Sequence, residues 1–468
     1  MEAQDVALTR IIARSGKQSA KMAVGAGITR RHVVFGGIIL FILWLWIAHD
    51  RESAFPTQII WNTRPGGHLA DPELDVFDFP PVDSDEIRAV CENTQWNKTL
   101  VFTCDNNHGG VGQVRNTILN CVRYAISAGG SLVLPQIAPR MDEEVHDDHG
   151  RPPHIDRRHG LARVGLEYMF DKNHFVDSLK LSCPQLNLIR HMEQTVNDRR
   201  RGLTPETLFE NVPMSGIEHP DQWPGRLAVW IDKYMAREPH QEPIIIDLDP
   251  SFLHYPIHSD GHKVAHTFGN ILKFRSDVRR LATKTLKQMD EWYTLYLDFD
   301  MPIIKPSFFG VHLMTEDPLI EQRHNVDIMY SHYQTLSKAY LEHALEVHTP
   351  VMYVASGNIS EVHKLALQAT EYKLAVTHKE DLLKMGDMEE LEMLRWDQRA
   401  LVDYLVLLKA QEFAGVGHSV FSWNVALKRH DAGDRQVGAL DGDIWSDGLS
   451  SLYGVRESFV ESSECMWS

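Results

Sequence analysis

A glycine-rich turn between two short apolar runs constrains the fold more than any other stretch of this sequence. The turn, residues 109–116, reads GGVGQVRN and follows the apolar run at residues 100–104. A segment with helical character comes next and ends at a second apolar run, residues 131–134. Strand, glycine turn, helix and strand in this order are typical of α/β proteins.

The same turn has a composition that suits a phosphate group. Glycines such as Gly110 and Gly112 let the backbone approach a ligand closely, and the first free N–H groups of a helix point at an anion. Gln113 follows, and Arg115 adds a positive charge one turn into the helix. Strand-to-helix turns also use glycine for geometry alone, so the turn by itself leaves both interpretations open.

Short apolar runs continue to alternate with helical segments along the rest of the chain. With 468 residues, of which 43% are hydrophobic, the chain is long enough to bury two cores. No hairpin signal separates the runs, so the alternation predicts two α/β domains with parallel sheets. One run ends in a small turn at Gly357, where a nucleotide could approach the backbone closely. The later runs lie at residues 244–250, 308–316, 351–354 and 373–377, and a second glycine turn at residues 411–417 leads into the sequence HSVFS.

One uncharged segment, residues 33–48, is predicted to be a transmembrane signal anchor. It reads VVFGGIILFILWLWIA, and Trp44 and Trp46 suit a membrane interface. Residues 1–32 form a basic cytosolic tail, so the body of the protein is predicted to be luminal, in the Golgi or the endoplasmic reticulum. A buried core helix and a cleaved signal peptide are the alternative interpretations.

Composition sets the remaining boundaries. Residues 49–95 are rich in proline and acidic residues, which is typical of a stem between an anchor and a globular body. Residues 96–300 are then the predicted N-terminal α/β domain, and residues 301–468 are the predicted C-terminal one. The formal net charge is −17, and the acidic body has no basic stripe, which argues against nucleic acid as a partner.

The cysteines and the glycosylation sequons agree with a luminal body. All five cysteines follow the predicted span, and disulfides persist in that compartment. We expect Cys91 to pair with Cys104, and Cys121, on the apolar face of the helix after the glycine turn, to stay unpaired. Asn97 and Asn358 each begin an acceptor sequon.

Two Asp-x-Asp pairs are candidates for holding a divalent cation against a diphosphate. The pairs are Asp247 with Asp249 and Asp298 with Asp300. The alternative is that they cap strand ends and turns. A polar stretch at residues 140–160 is dense in histidine and carboxylate, but it lacks helical ligand spacing and is predicted to be a surface loop.

Five motifs then follow one another in a recognisable order. They are GGVGQVRN, YMFD, GVHLMTE, YVASGN and FAGVGHSVFSWNVALKR, spread over residues 101–429. This ordered set resembles the GDP-fucose protein O-fucosyltransferase superfamily, in the form common in filamentous fungi. The resemblance implies two Rossmann-like domains facing each other across a cleft, the arrangement called GT-B. Residues 96–300 would form the domain on the acceptor side, and residues 301–468 the domain on the nucleotide-sugar side. It also implies GDP-fucose or a related nucleotide sugar as donor, a protein or glycan acceptor, and no metal or other cofactor.

The resemblance assigns candidate roles to individual residues. Gly110, Gly112 and Gln113 match the loop that approaches the sugar and the diphosphate, with Gln113 in place of the usual asparagine. His312 matches a histidine near the nucleotide. The turn that grips the phosphate and the base is matched by Ser419, Phe421 and Ser422.

Met314 is the serious departure from the family pattern. The family reads His-Leu-Arg where this chain has His-Leu-Met, and that arginine neutralises the departing diphosphate. A fixed cation at developing charge is worth about 3 to 4 kcal/mol, a factor on the order of a hundred to a thousand in rate. Either another cation reaches the same spot, or this chain is slow or inert. The cations considered are Arg115, Arg323 and Lys305.

Three functions follow as hypotheses. The first is a type II membrane glycosyltransferase that moves fucose, or a related sugar, to a protein or glycan hydroxyl with inversion; Gln113, His312 and Met314 would lie at its reaction centre. The second is a catalytically inactive binder of nucleotide sugar or glycan, motivated by Met314. The third is an oxidoreductase with a dinucleotide site, for which the strict glycine fingerprint is missing.

Overall fold

The computed structural model of the protein describes residues 75–139, 163–190, 200–235, 243–315, 328–437 and 443–468. All of them belong to one compact unit, residues 71–468. The predicted cytosolic tail, the predicted span, the polar stretch at residues 140–160 and Arg323 lie outside the described residues. Within the described ranges, no helix has both the length and the apolar character needed to cross a membrane.

Short strands alternate with helices throughout the described residues. The strands are β1 (Leu100–Thr103), β2 (Ser131–Val133), β3 (Gln136–Ile137), β4 (Val164–Gly165), β5 (Leu188–Ile189), β6 (Arg201–Leu203), β7 (Ile244–Leu248), β8 (Phe309–His312), β9 (Val351–Ala355), β10 (Ala375–Thr377), β11 (Glu412–Val416) and β12 (Ser450–Tyr453). The α-helices are α1 (Asp85–Glu92), α2 (Val111–Ser127), α3 (Lys172–Ser182), α4 (Trp223–Met235), α5 (His262–Thr267), α6 (Ser276–Tyr293), α7 (Tyr333–Val347), α8 (Ile359–Ala369), α9 (Lys379–Leu382), α10 (Gly386–Met393), α11 (Trp396–Lys409), α12 (Val420–Val437) and α13 (Glu457–Ser463).

Two five-stranded sheets form the framework, and every pairing within them is parallel. The first sheet has the order β5-β2-β1-β7-β6, and the second has the order β10-β9-β8-β11-β12. The α/β class with parallel sheets is therefore confirmed. The chain changes direction across the sheet between β1 and β7 in the first case and between β8 and β11 in the second. In open α/β sheets, ligands bind outside the carboxyl ends of strands at such switch points.

Helix α2 begins where the glycine turn makes its geometry possible. Gly109 has a φ of 111°, which side-chain-bearing L residues rarely adopt. Gly110 is the N-cap, and its N–H donates to Oε1 of Gln113 at 3.0 Å, so the first turn of the helix is satisfied internally. The turn thus has a structural role whether or not it also binds a ligand.

One continuous apolar core fills the space between the two sheets. It contains Phe102 from the first sheet and Tyr353 and Phe413 from the second. Helix α11 packs on α6 and α12 packs on α2, so helices that follow strands of different sheets meet there. A separate core covers the other face of the second sheet, around Phe309 and Val311. The shared core fixes the carboxyl ends of β1, β8 and β11 relative to one another.

The structure differs from the expectation at the end of the predicted stem. Residues 85–92 form α1, which packs against α3, and Cys91 on α1 is fully buried. The acidic residues that gave this stretch its stem-like composition are a helix start: the Ser84 side chain accepts from the N–H of Ile87, and acidic residues occupy the first turn. Residues 75–95 therefore belong to the folded body.

The expected cysteine pairing is wrong. Cys91 is bonded to Cys183 and Cys104 to Cys121, with Cα–Cα distances of 5.6 and 6.4 Å. The free cysteine is Cys465, which is buried. Packing of α1 against α3 brings Cys183 to Cys91, a proximity that spacing along the chain does not report.

Candidate functional site

Two turns, one after β1 and one after β11, meet between the two sheets. A Cβ added to Gly112 would lie 2.9 Å from Cγ1 and 3.0 Å from the carbonyl oxygen of Val420, at the start of α12. The starts of α2 and α12 are therefore in contact at Gly112, where there is no side chain to separate them. We call the two-turn site the set formed by residues 109–113, His312 and residues 417–422.

Gly110 presents an open face within the two-turn site, whereas Gly112 does not. A Cβ added to Gly110 would meet no heavy atom within 4 Å. Its φ of −71° is accessible to any L residue, so glycine is not required there by the backbone or by neighbours. The free space beside Gly110 is where a ligand could approach the backbone.

His312 is at the carboxyl end of β8 and joins it to α12. Its Nδ1 lies 2.9 Å from Oγ of Ser422, which also accepts from the N–H of Val416 at 3.3 Å. The His312 ring lies 4.5 Å from the ring of Phe421. Tyr340 donates its hydroxyl hydrogen to the His312 carbonyl oxygen at 2.8 Å. The sequence-predicted residues His312, Phe421 and Ser422 are thus brought into direct contact.

Burial and, to a smaller extent, the nearby His418 together lower the pKa of His312 to about 3. The imidazole is therefore neutral at physiological pH. A neutral imidazole is both a hydrogen-bond donor and an acceptor, and it leaves an approaching diphosphate without a positive charge at this point.

Replacing His312 with glutamine is expected to reduce the loss of folding stability that accompanies a fall in pH below 6.5. The folded-state pKa of His312 is depressed, so the stability it contributes is fully present above pH 6.5 and is lost as the pH falls toward about 3. Thermal unfolding followed from pH 7 to pH 4 should show a smaller loss in His312→Gln than in the wild type. An identical slope in both proteins would contradict the assignment of a buried neutral imidazole.

Ser419 and Ser422 shape the second turn from inside. Ser419 is buried, and its Oγ accepts from the N–H of Ser422 at 3.3 Å, as a helix N-cap does. A Cβ added to Gly415 would lie 2.5 Å from Oγ of Ser422, so the strand and helix pack tightly there. The indole N–H of Trp423 donates to the carbonyl oxygen of Gly417 at 2.7 Å. The hydroxyl groups of this turn are held in fixed positions.

The sequence predicts Arg115 at the ligand, but in the structure its side chain does not face the two-turn site. Its side chain is buried and donates to the main-chain oxygens of Trp467, Gly269 and Ser468. Burial among these carbonyl groups lowers the pKa of its guanidinium. Arg115 lies on the face of α2 that packs inward, away from a ligand. Its hydrogen bonds therefore connect α2 to Gly269, Trp467 and Ser468.

Lys305 is also removed from the role considered for it. It precedes β8, so it lies toward the amino end of that strand, whereas His312 lies at the carboxyl end. The strand has four residues and is therefore about 13 Å long. Neither Lys305 nor Arg115 replaces the cation that the family pattern has at Met314.

Met314 itself is partly buried and packs against the core on the other face of the second sheet, whose members include Phe309, Val311 and Val362. An apolar side chain suits this contact. Gly357 is exposed in the turn after β9, and Asn358 caps α8 there by accepting from the N–H of Glu361 at 3.3 Å. These two positions line the carboxyl edge of β8 and β9.

The Asp-x-Asp side chains have structural partners. The Thr103 hydroxyl donates to Asp247 at 2.7 Å, and the Thr204 hydroxyl donates to Asp249 at 3.1 Å. Burial raises the pKa of Asp247. Asp298 accepts from the N–H of the second aspartate in its own pair at 3.2 Å, as a turn carboxylate does. In the part of the chain that the structure describes, no group of three histidine, cysteine, aspartate or glutamate side chains is arranged to hold a metal ion.

Two residues beside the site were not singled out from the sequence. Asn424 is buried on α12, and its Nδ2 would lie 2.9 Å from a Cβ at Gly112. Arg456 follows β12, whose last residue pairs with Val416. The signal for Arg456 is a short run with a glycine after it, LSSLYG, which reads as one more strand and turn. No comparable local signal marks Asn424.

Comparison with known proteins gives one family match. The family model described as GDP-fucose protein O-fucosyltransferase matches residues 100–431. That range contains the whole of the two-turn site. No curated protein matches the chain.

Several solved structures are similar to this chain at low identity. POFUT1 in complex with GDP-fucose is 14% identical, with a TM-score of 0.44, over 78% of this chain and 100% of that chain. The fucosyltransferase NodZ from Bradyrhizobium is 13% identical, with a TM-score of 0.37, over 71% of this chain and 94% of that chain. A mutant of Arabidopsis thaliana FUT1 in complex with GDP is 10% identical, with a TM-score of 0.35, over 74% of this chain and 73% of that chain.

Proposed function

The chain belongs to the GDP-fucose protein O-fucosyltransferase family, and on that premise we propose that it transfers fucose from GDP-fucose to a hydroxyl group of a protein or glycan. The family match over residues 100–431 is the observation that carries this proposal. It is supported by the meeting of Gly110, His312 and Ser419 at the switch points of two parallel sheets. Family membership also makes the chain a glycosyltransferase by class.

The donor would lie in the two-turn site, in a GT-B-like arrangement. Backbone N–H groups beside the open face of Gly110 and the hydroxyl of Ser419 would contact the sugar and the diphosphate. The acceptor hydroxyl oxygen would bond to C1 of fucose while the bond from C1 to the phosphate oxygen breaks. The electron pair leaves with GDP, the hydroxyl proton is released, and the configuration at C1 inverts. Only protein groups would stabilise the leaving diphosphate.

The location proposed for this reaction is the lumen of the Golgi or the endoplasmic reticulum. The sequence of residues 33–48 supports a type II anchor. The two disulfides, Cys91 with Cys183 and Cys104 with Cys121, support an oxidising compartment. A luminal body would also meet its protein or glycan acceptors there.

A catalytically inactive binder of nucleotide sugar is the second candidate. It is favoured by one observation: Met314, where the family pattern has arginine, packs among apolar side chains and offers no charge. Arg115 does not compensate, since its guanidinium is used by main-chain oxygens. In this case GDP binds but no sugar is transferred.

Release of GDP from GDP-fucose by the full-length protein separates the two candidates. We expect the wild type to release GDP and the Met314→Arg variant to release it about tenfold faster, because an added charge-assisted hydrogen bond would reach the leaving group. Met314→Leu keeps the apolar contact and should match the wild type. Binding of GDP without release of it by either the wild type or Met314→Arg would favour the inactive binder. Failure to bind GDP at all would reject both.

A further inference from the structure

Cleavage of a sugar–diphosphate bond places negative charge on the departing phosphate, and a cation fixed nearby is the usual way to stabilise it. This chain has no such cation at position 314, because Met314 stands where the family pattern has arginine. We propose that Arg456, which follows β12, is the cation that contacts the diphosphate of the bound nucleotide. This rests on the proposed function, since it assigns a further substrate-contacting residue to the same site.

The main chain after β12 lies directly against the second turn of the two-turn site. Strand β12 pairs in parallel with β11, and Val416 is opposite Tyr453. The N–H of Gly417 donates to the carbonyl oxygen of Tyr453 at 2.6 Å. A Cβ added to Gly417 would lie 2.6 Å from the nitrogen of Val455. Arg456 is therefore the next residue after a segment in contact with the turn that carries Ser419.

The strand order brings Arg456 within reach of a ligand held at that turn. The carboxyl ends of β8, β11 and β12 are neighbours at one edge of the second sheet. Adjacent strands are about 4.8 Å apart, and an extended arginine side chain is longer than one such spacing. A guanidinium that starts beside β12 can therefore cover a phosphate above the end of β11, between Ser419 and His312.

Three other cations among the described residues are already engaged or are misplaced. Lys379, after β10, is buried and pairs with Asp403 at 2.7 Å. Arg115 donates to main-chain oxygens, and Lys305 precedes β8. Arg456 is half-buried, and among the residues that the structure describes no carboxylate pairs with it. Its charge is left for a ligand.

Arginine suits this role chemically. Its planar guanidinium presents parallel N–H groups that match two phosphate oxygens, and it stays protonated at any physiological pH. As the bond from C1 to the phosphate oxygen breaks, the electron pair that moves to that oxygen is met by this charge. His312, held neutral, cannot supply it.

The test compares Arg456→Met with a matched loss of charge elsewhere. Lys338 on α7 is exposed, with only a 3.8 Å contact to Glu342, so Lys338→Met removes one positive charge from the same half of the protein. Calorimetric titration of the full-length proteins with GDP and with guanosine measures the diphosphate contribution. GDP release from GDP-fucose measures the effect on the reaction. Arg456→Lys tests the need for the guanidinium.

In Arg456→Met we expect GDP affinity to fall about tenfold, guanosine affinity to stay at the wild-type value, and GDP release to slow about a hundredfold. Arg456→Lys should be intermediate, and Lys338→Met should equal the wild type. Adding Met314→Arg to Arg456→Met should restore part of the rate, because the cation returns at the position that the family uses. Partial rescue would also show that Arg456→Met still folds.

Three outcomes overturn the proposal, and they are distinguishable. If the wild type binds GDP and Arg456→Met binds it equally well, Arg456 does not contact the diphosphate, although the proposed function stands. If the wild type binds neither GDP nor GDP-fucose, the proposed function fails and this assignment fails with it. Equal losses of GDP and guanosine affinity in Arg456→Met would also count against it, because they indicate a general distortion of the site.

Discussion

Replacing Gly112 with valine is expected to abolish measurable transfer and to destabilise the protein by about 3 kcal/mol. The new side chain would start 3.0 Å from the backbone oxygen of Val420, which cannot rotate away as a side-chain end can. The first turn of α2 must then move relative to α12. A displacement of about 1 Å in a reaction centre costs on the order of a hundredfold in rate, beyond the loss of stability. GDP release and thermal unfolding measure the two effects.

Gly110→Ala is the matched control, because it adds a Cβ in the same turn. That Cβ meets no heavy atom within 4 Å, and the backbone angle at Gly110 is ordinary. We expect the melting temperature of Gly110→Ala to stay within about 1 °C of the wild type, since surface substitutions of this kind change stability little. If the open face receives the donor, GDP-fucose affinity falls in this variant while stability does not. Equal loss of stability in the Gly110 and Gly112 variants would contradict the contact described between α2 and α12.

Removal of the bond between Cys91 and Cys183 should have the largest effect on stability of any change to the cysteines. The two residues are 92 positions apart, so the bond closes a long loop, and its loss costs about 4 kcal/mol. At roughly 2 °C per kcal/mol for a large domain, Cys91→Ala/Cys183→Ala should melt about 8 °C below the wild type. The bond between Cys104 and Cys121 closes a loop of only 17 residues, so Cys104→Ala/Cys121→Ala should lose about 3 kcal/mol of stability.

Thiol counting supplies the control for the cysteine variants. Maleimide should label one thiol in the denatured, unreduced wild type, because Cys465 is the free cysteine. No thiol should be labelled in the Cys465→Ala variant. Disulfide mapping of the same sample should recover peptides that join Cys91 to Cys183. Recovery of a peptide that joins Cys91 to Cys104 would show that the pairing in the structure is wrong.

The elements of the fold were accessible from the sequence because they depend on local chemistry. The run at residues 100–104, the glycine turn and the run at residues 131–134 became β1, the start of α2 and β2. The strand at residues 244–250 ended before Pro250, as proline requires. Apolar runs and turn glycines report their own conformation, so the alternation was enough to predict parallel sheets.

Partners in space were not accessible in the same way. Arg115 stands in the glycine turn in sequence, yet it reaches main-chain oxygens of Trp467 and Ser468, both more than 350 positions away. Cys91 is bonded to Cys183 because α1 packs on α3. The local pattern of apolar and polar residues does not predict such long-range contacts. Only the tertiary structure identifies them.

The sequence by itself determined the α/β class, the glycine turns and the order of motifs that identifies the family, because each of these is written in neighbouring residues. Only the tertiary structure decided that Gly112 is a contact between halves while Gly110 is open, that Arg115 is occupied, and that the chain beside Arg456 lies against the second turn. The physical reason is that a side chain's function depends on what faces it. In this fold the facing groups come from strands and helices hundreds of residues apart.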